Sequence, residues 1–188
     1  IRSADEAKAY LDTIHTTLLY LGISDAKMQE GSIRADVNVS VRPVGSKEYG
    51  VRVETKNVSS FSGVYNAIVY EANRQIEVLE NGGELFQETR RWDDIKGKSF
   101  AMRTKETAGD YRYFPDPNVM PVVIDDEWFN TVKSNLPEFP EVKKERYVGQ
   151  LGLTEYDADQ LIQSRQMCDC FEEATAECGR AKEVANWL

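Results

Sequence analysis

The sequence lacks several motifs through which enzymes hold phosphate or attack a substrate. It has neither the G-x-x-x-x-G-K-[ST] phosphate loop nor the G-x-G-x-x-G dinucleotide motif, which excludes the two standard glycine-rich nucleotide sites. Its single histidine, His15, lies beside Asp12 on the polar side of a predicted helix. A histidine without a placed partner does not favour a Ser-His-Asp triad or a Cys-His pair. The chemistry that remains is that of carboxylates and cations.

Cysteine, long apolar runs and positive charge are also scarce. The three cysteines, Cys168, Cys170 and Cys178, have neither zinc spacing nor the even number of a closed disulfide set. We therefore expect free thiols in a reducing cytosol. No apolar stretch approaches the ~20 residues of a membrane-spanning helix, so no membrane association is expected. A net charge of −9 argues against nucleic-acid binding by this chain alone, because such binding depends on neutralising phosphates.

Two stretches have the period of two that is typical of a half-buried β-strand. Apolar and polar residues alternate over residues 32–42 and again over residues 51–56. We predict a hairpin of roughly 32–42 and 50–57, and a turn centred on Ser46 would place Asp36 opposite Lys56 and Asn38 opposite Glu54. Helices before and after this hairpin would pack on one face of an antiparallel sheet.

The rest of the chain predicts an α+β fold followed by helices. A second hairpin is predicted over 87–92 and 99–104, a stiff loop over 110–117, and a further short strand over 119–124. Two prolines within residues 136–140 break both patterns, so we place a domain boundary there. The prediction is an α+β domain over 1–136 and the start of an all-α domain over 137–188. The chain begins without Met and ends inside a helical pattern, which favours a piece of a longer protein.

One face of the first hairpin collects charges of both signs, namely Arg34, Asp36, Arg52, Glu54 and Lys56. Such a face suits a polyanionic substrate, because carboxylates can hold Mg²⁺ and cations can neutralise phosphate. A solvated sheet face with cross-strand ion pairs explains the same pattern. Spacing alone leaves both interpretations open.

Several ordered motifs nevertheless resemble one known family. These are KMQEGSIRADVNVS (27–40), ETKNVSSF (54–61), NGGE (81–84), QETRR (87–91), DYRYFP (110–115), and the later LGL and YDA at 151–153 and 156–158. Together they closely resemble the B subunits of aspartyl/glutamyl-tRNA(Asn/Gln) amidotransferases, the GatB/GatE family. The similarity covers essentially the whole chain.

This resemblance implies a ligase acting in a cytoplasmic complex. B subunits of this family use ATP and Mg²⁺ to phosphorylate the side-chain carboxyl of Glu-tRNA(Gln) or Asp-tRNA(Asn). Ammonia released from glutamine by the A subunit then displaces the phosphate, and the complex is braced by a small C subunit. The family's catalytic cradle is similar to the glutamine synthetase and guanidino kinase fold, which activates substrates on a sheet.

The resemblance also suggests roles for individual residues. Asp36 matches an acidic position at the kinase site, near Mg²⁺ or the reacting carboxyl, and Glu30 and Glu54 lie in matching motifs as candidate catalytic residues. Arg34 and Lys56, together with Arg52 of the same face, are the candidate phosphate-binding residues. The family's main metal ligands lie before Ile1, so we expect this polypeptide by itself to be inactive. The alternative is a non-catalytic module whose charged face docks another subunit.

Overall fold

The computed structural model describes residues 1–104 and 114–188. Its chain forms two compact units, which are described separately: unit 1 comprises Ile1–Asp12 and Lys27–Asn118, and unit 2 comprises Thr13–Ala26 and Val119–Leu188. The elements are α1 Ala4–Leu21, β1 Ala35–Val39, β2 Val53–Val58, α2 Phe61–Glu80, β3 Glu88–Asp93, β4 Lys98–Thr104, α3 Asp126–Ser134, α4 Pro140–Gly149, α5 Glu155–Leu161, α6 Arg165–Cys178 and α7 Ala181–Trp187. The α+β class is confirmed, while the predicted domain boundary near residue 136 stays a prediction.

The four strands of unit 1 form one sheet in the order β1-β2-β3-β4. Strands β1 and β2 are antiparallel, as are β3 and β4, so both predicted hairpins are confirmed. Strands β2 and β3 run parallel, because helix α2 carries the chain back between them. The predicted antiparallel sheet is therefore corrected to a mixed one.

Helix α2 covers one face of this sheet. Ser60 caps its first turn, accepting a hydrogen bond from the backbone N–H of Gly63 at 2.9 Å. The core between helix and sheet consists of Val37, Val58, Val64, Ala67 and Trp92. Because α2 occupies this face, the polar side chains that alternate with the core residues lie on the opposite face, which no helix of residues 1–104 and 114–118 covers; we call it the helix-free face.

A buried ion network fastens α2 to the third strand. Glu71 is fully buried, and Arg74 donates to both of its carboxylate oxygens, at 2.9 and 2.7 Å. Arg90 of β3 lies 3.7 Å from Glu71 and 2.7 Å from Glu88. A buried carboxylate needs such partners because an unpaired charge there is costly. The network thus fixes β3 against the helix.

A bulge interrupts the pairing of β1 with β2. Ala35 pairs with Val58 and Val37 with Thr55, which leaves one extra residue on β2. Asn57 there adopts a left-handed φ of 64°, and its side-chain N–H donates to the Trp92 carbonyl at 3.2 Å. Asparagine tolerates this conformation better than most residues.

Unit 2 is helical, and its core contains Tyr20, Tyr147, Cys168 and Phe171. The rings of Tyr147 and Phe171 meet edge to face with centroids 4.9 Å apart. All three cysteines are free thiols, as predicted.

Glu172 of α6 is the centre of an ion cluster in this unit. It accepts hydrogen bonds from Lys143 at 2.5 Å, Tyr147 at 2.6 Å and Arg146 at 2.7 Å. Burial alone raises the pKa of Glu172, but these three donors outweigh it and lower the pKa to about 2. The cluster joins α4 to α6.

Several predicted elements of the second half need correction. Residues 119–124 form no strand, and helix α3 follows them, capped by Asp125, which accepts from the Trp128 N–H at 2.7 Å. Within the helical region predicted over 137–188, Gly179 ends α6 in a left-handed conformation before α7 begins. Residues 110–113 of the predicted stiff loop lie outside the described residues. No helix in the described part of the chain is long and apolar enough to cross a membrane.

Candidate active site

Three charged side chains meet on the helix-free face of the sheet in unit 1, and we call Asp36, Glu54 and Lys56 the charged triad. The Lys56 Nζ lies 3.9 Å from an Asp36 Oδ atom and 3.8 Å from a Glu54 Oε atom. The ammonium therefore lies close to both carboxylates. Three of the residues predicted from sequence are brought together.

Strand alternation places the triad on this face. Val53 and Thr55 are completely buried towards α2, so Glu54 and Lys56 point the other way. Asn38 pairs with Glu54, as predicted from a turn centred on Ser46. Asp36 lies within ion-pair distance of Lys56, although the bulge removes it from regular pairing. The local sequence thus dictates which side chains face outwards.

The triad contributes little to folding stability. The side chains of Lys56 and Asp36 are 42% and 43% exposed, whereas Glu54 is only 16% exposed. Ion pairs of this length at a solvated surface contribute about 0–1 kcal/mol. The lysine can therefore exchange a carboxylate for another anion at low cost, which is the behaviour expected of a binding group.

Strand β3 adds two residues that sequence reasoning missed. Because β2 and β3 are parallel, Thr89 lies opposite Glu54 and Arg91 opposite Lys56, on the same face. The Thr89 hydroxyl donates to a Glu54 carboxylate oxygen at 3.1 Å. The QETRR motif is part of the family resemblance, but no local signal in the sequence reveals a parallel pairing.

The other predicted site residues lie apart from the triad. Glu30 occupies a turn before β1 and pairs with Lys27 at 2.9 Å, and both side chains are more than half exposed. Arg34 and Arg52 immediately precede β1 and β2 and are exposed. Within residues 1–104 and 114–188, neither arginine forms an ion pair, so both guanidinium groups can receive an anion.

The described residues do not fit a metal ion by themselves. Asp36 and Glu54 offer oxygen ligands of the kind that Mg²⁺ prefers, but there are only two, and Lys56 already lies near both. Nowhere in the described ranges do three His, Cys, Asp or Glu side chains converge as a metal site requires. Asp36 could at most complete a set of ligands supplied from elsewhere.

A groove of about 790 Å³ adjoins the triad along the outer edge of β1. Its walls are apolar side chains of α1 and α2, among them Leu11 and Ile68, and Asp36, Asn38 and Arg42 are polar members of its lining. Small-molecule sites commonly combine this size with a few convergent polar groups. The groove therefore lies on the α2 side of β1, and Asp36 is the member of the triad that also lines it.

The chain is similar to known proteins along its whole length. Residues 1–130 match the family model of the GatB/GatE catalytic domain. The B subunit of aspartyl/glutamyl-tRNA(Asn/Gln) amidotransferase from Caldicellulosiruptor saccharolyticus is 52% identical over 188 residues, which is all of this chain and 39% of the relative. The B subunits of the same name from Caldicellulosiruptor bescii and Oceanobacillus iheyensis are 53% and 50% identical, again over the whole chain and over 39% and 40% of their own lengths.

This chain therefore spans about two fifths of the length of the curated relatives that it matches. The resemblance noted in the sequence motifs is confirmed by a family model that covers more than two thirds of the chain. The chain belongs to the GatB/GatE family.

Proposed function

We propose that this chain is part of a subunit that activates a side-chain carboxyl for amidation on tRNA. The subunit would phosphorylate the glutamate of Glu-tRNA(Gln), or the aspartate of Asp-tRNA(Asn), with ATP as phosphoryl donor. Two observations support this proposal: the names of the relatives, and a lysine held between two carboxylates on an open sheet face. The position of the lysine is the observation on which the assignment of the site rests.

The chemistry explains why cations are needed on this face. A carboxylate oxygen of the substrate attacks the γ-phosphorus of ATP, the bond to the β-phosphate oxygen breaks, and an acyl phosphate forms. Attacking and transferred groups are both anionic, so catalysis depends on positioning and charge neutralisation. Lys56 would contact the transferring group, with Arg34 and Arg52 on the remaining phosphates. Ammonia then attacks the acyl carbon and phosphate leaves.

The carboxylates have a different role in this proposal. Asp36 and Glu54 hold the Lys56 ammonium in place before substrate binds, because each lies within 4 Å of it. Asp36 would also face the reacting carboxyl or a magnesium ion accompanying ATP. Such an ion would need its main ligands from outside the described residues, so no step above depends on it. Glu30, paired with Lys27, would act only if its turn approaches the substrate.

The proposal includes partners. Glutamine hydrolysis in an A subunit would supply ammonia, the complex would be braced by a small C subunit, and the mischarged tRNA would bring the amino acid. A cytoplasmic location accords with this work in translation. The chain alone is expected to be inactive, so a magnesium-dependent ATPase activity of the isolated chain would contradict that expectation.

The test is a pair of substitutions in the full-length subunit within its complete complex. Lys56→Ala and Asp36→Ala should each lower transfer of the γ-phosphoryl group to Glu-tRNA by about 10²- to 10³-fold, as loss of an electrostatic catalytic group does. Because the triad contributes little stability, assembly measured by gel filtration should be unchanged. Lys98→Ala, on the same face two strands away, is the matched control and should retain normal transfer.

The outcomes separate the two functions considered for this face. Loss of phosphoryl transfer with intact assembly supports the enzyme. Loss of assembly with normal transfer in the residual complex would instead show that the charged face is a docking surface between subunits.

A further inference from the structure

We infer that Thr89 is a positioning residue, which holds the Glu54 carboxylate so that one of its oxygens faces Lys56. This inference rests on the proposed function, because it assigns Thr89 to the site that contains the charged triad. Thr89 itself lies on the neighbouring strand and acts through Glu54.

The two oxygens of Glu54 have different partners. Oε2 accepts the hydrogen bond from the Thr89 hydroxyl at 3.1 Å, and Oε1 lies 3.8 Å from the Lys56 Nζ. A glutamate side chain has three rotatable bonds, and a donor fixed to one oxygen restricts where the other can point. Thr89 therefore sets the direction of the oxygen that faces the lysine.

The environment makes this hydrogen bond effective. Thr89 is 7% exposed, and Glu54 is the most shielded member of the triad. Hydrogen bonds to a charged group are stronger than neutral ones, and low exposure strengthens them further. Asp36 is 43% exposed, so Glu54 is the less hydrated of the two carboxylates around Lys56.

The backbone of Thr89 is itself held from both sides. Its neighbour Arg90 donates to Ser99 of β4 at 2.7 Å and reaches the buried Glu71 of α2 on the opposite face. Thr89 also lies directly opposite Glu54 in the parallel ladder. Successive contacts thus connect α2, through β3, to the Glu54 carboxylate. The Thr89 hydroxyl makes the final contact, with Glu54.

The experiment compares three threonine substitutions in the full-length subunit within its complete complex. Thr89→Val removes the hydroxyl but keeps a β-branched side chain that suits a strand. Thr89→Ser restores the hydroxyl. Thr55→Val is the matched control: Thr55 is also buried, on the adjacent strand, it faces α2, and its hydroxyl has no hydrogen-bond partner within the described residues.

The readout is acyl-phosphate formation with the ATP concentration varied. Thr89→Val should lower kcat by about 10- to 100-fold, the effect expected for one hydrogen bond to a charged group, and change the KM for ATP by less than about threefold. A misdirected Glu54 carboxylate weakens stabilisation of the transition state, so the substitution lowers kcat more than it changes the KM for ATP. Thr89→Ser should lie within about threefold of wild type, and Thr55→Val should match wild type in both constants.

A double substitution tests whether Thr89 acts through Glu54. In the Glu54→Gln background, adding Thr89→Val should change kcat by less than about twofold, since the carboxylate that it orients is already gone. Should Thr89→Val fail to assemble, Thr89→Ala and Thr89→Ser give the same comparison of a missing and a retained hydroxyl.

The inference is overturned if Thr89→Val has the kcat of wild type, if Thr89→Ser is as impaired as Thr89→Val, or if the two substitutions are independent in the double variant. Failure of the proposed function has another signature. If the proposed function is wrong, Lys56→Ala will also leave acyl-phosphate formation unchanged. If Lys56→Ala loses activity while Thr89→Val keeps the activity of wild type, only the positioning role of Thr89 is contradicted.

Discussion

Replacing the buried Glu71 with glutamine should weaken the attachment of helix α2 to the sheet by about 3 kcal/mol. Glu71 is fully buried and accepts two hydrogen bonds from Arg74 and one, at 2.8 Å, from Gln75. Arg90 approaches its second oxygen to 3.7 Å. A glutamine offers only one acceptor oxygen, so its amide N–H₂ must face an arginine donor, and one guanidinium N–H loses its partner.

The magnitude follows from what remains in the network. Removing one partner of a buried ion pair costs about 3–5 kcal/mol because the other charge is left uncompensated. Glu88 still lies 2.7 Å from Arg90 and 3.4 Å from Arg74, and both arginines keep some contact with solvent. We therefore expect the lower end of that range. The loss should appear in α2 and β3, which the network joins.

Hydrogen exchange measured by mass spectrometry suits this prediction, since it reports local opening free energies in a chain of two compact units. Amides of α2 and β3 should exchange about 100-fold faster in Glu71→Gln, while those of unit 2 should be unaffected. Glu77→Gln is the control, because Glu77 is exposed on the same helix, and its effect should stay below about 0.5 kcal/mol. A change of less than about 1 kcal/mol in α2 for Glu71→Gln would refute the reasoning.

The sequence predicted the first hairpin well because one of its faces is buried. A shift of one residue would turn every side chain to the wrong face, so alternation specifies register strongly. The outward direction of Asn38, Glu54 and Lys56 follows from this. The pairing of Asn38 with Glu54 also required the turn to be placed at Ser46, and the bulge displaces the predicted pairing of Asp36 with Lys56. The face on which the charged triad lies was therefore accessible from local pattern.

The contribution of β3 to the site depends on a long-range pairing that local pattern does not encode. Strands β2 and β3 are separated by the whole of α2, and nothing in either strand distinguishes a parallel from an antiparallel neighbour. Only the path of the helix decides it, since a crossover returns the chain to the same end of the sheet. This is why Thr89 and Arg91 were not assigned to the site.

The predicted strand over 119–124 failed for a related reason. Its β-branched residues fit a strand, but the described residues provide no neighbouring strand, and Val122, Val123 and Ile124 are exposed. Strand preference expresses packing against a partner more than an intrinsic backbone tendency. Helix α3 was missed although Asp125, followed by two acidic residues, is a recognisable helix start.

Two further predictions concern the bulge and the ion cluster of unit 2. Asn57→Ala should cost about 1–2 kcal/mol, since alanine loses the hydrogen bond to Trp92 and is strained at a φ of 64°, whereas Asn57→Gly should cost less; urea midpoints of the two variants compare them. The pKa of Glu172 falls from 4.5 to about 2 on folding, so its stabilisation is complete above pH 4.5 and is lost as pH falls through 2. The full shift corresponds to about 3 kcal/mol, and solvent screening at this partly exposed carboxylate reduces that to about 1–2. Glu172→Gln should therefore lower the urea midpoint of unit 2 at pH 7 and make it less sensitive to acid between pH 5 and pH 2. An unchanged acid sensitivity in that variant would mean that other carboxylates govern the acid unfolding of this unit.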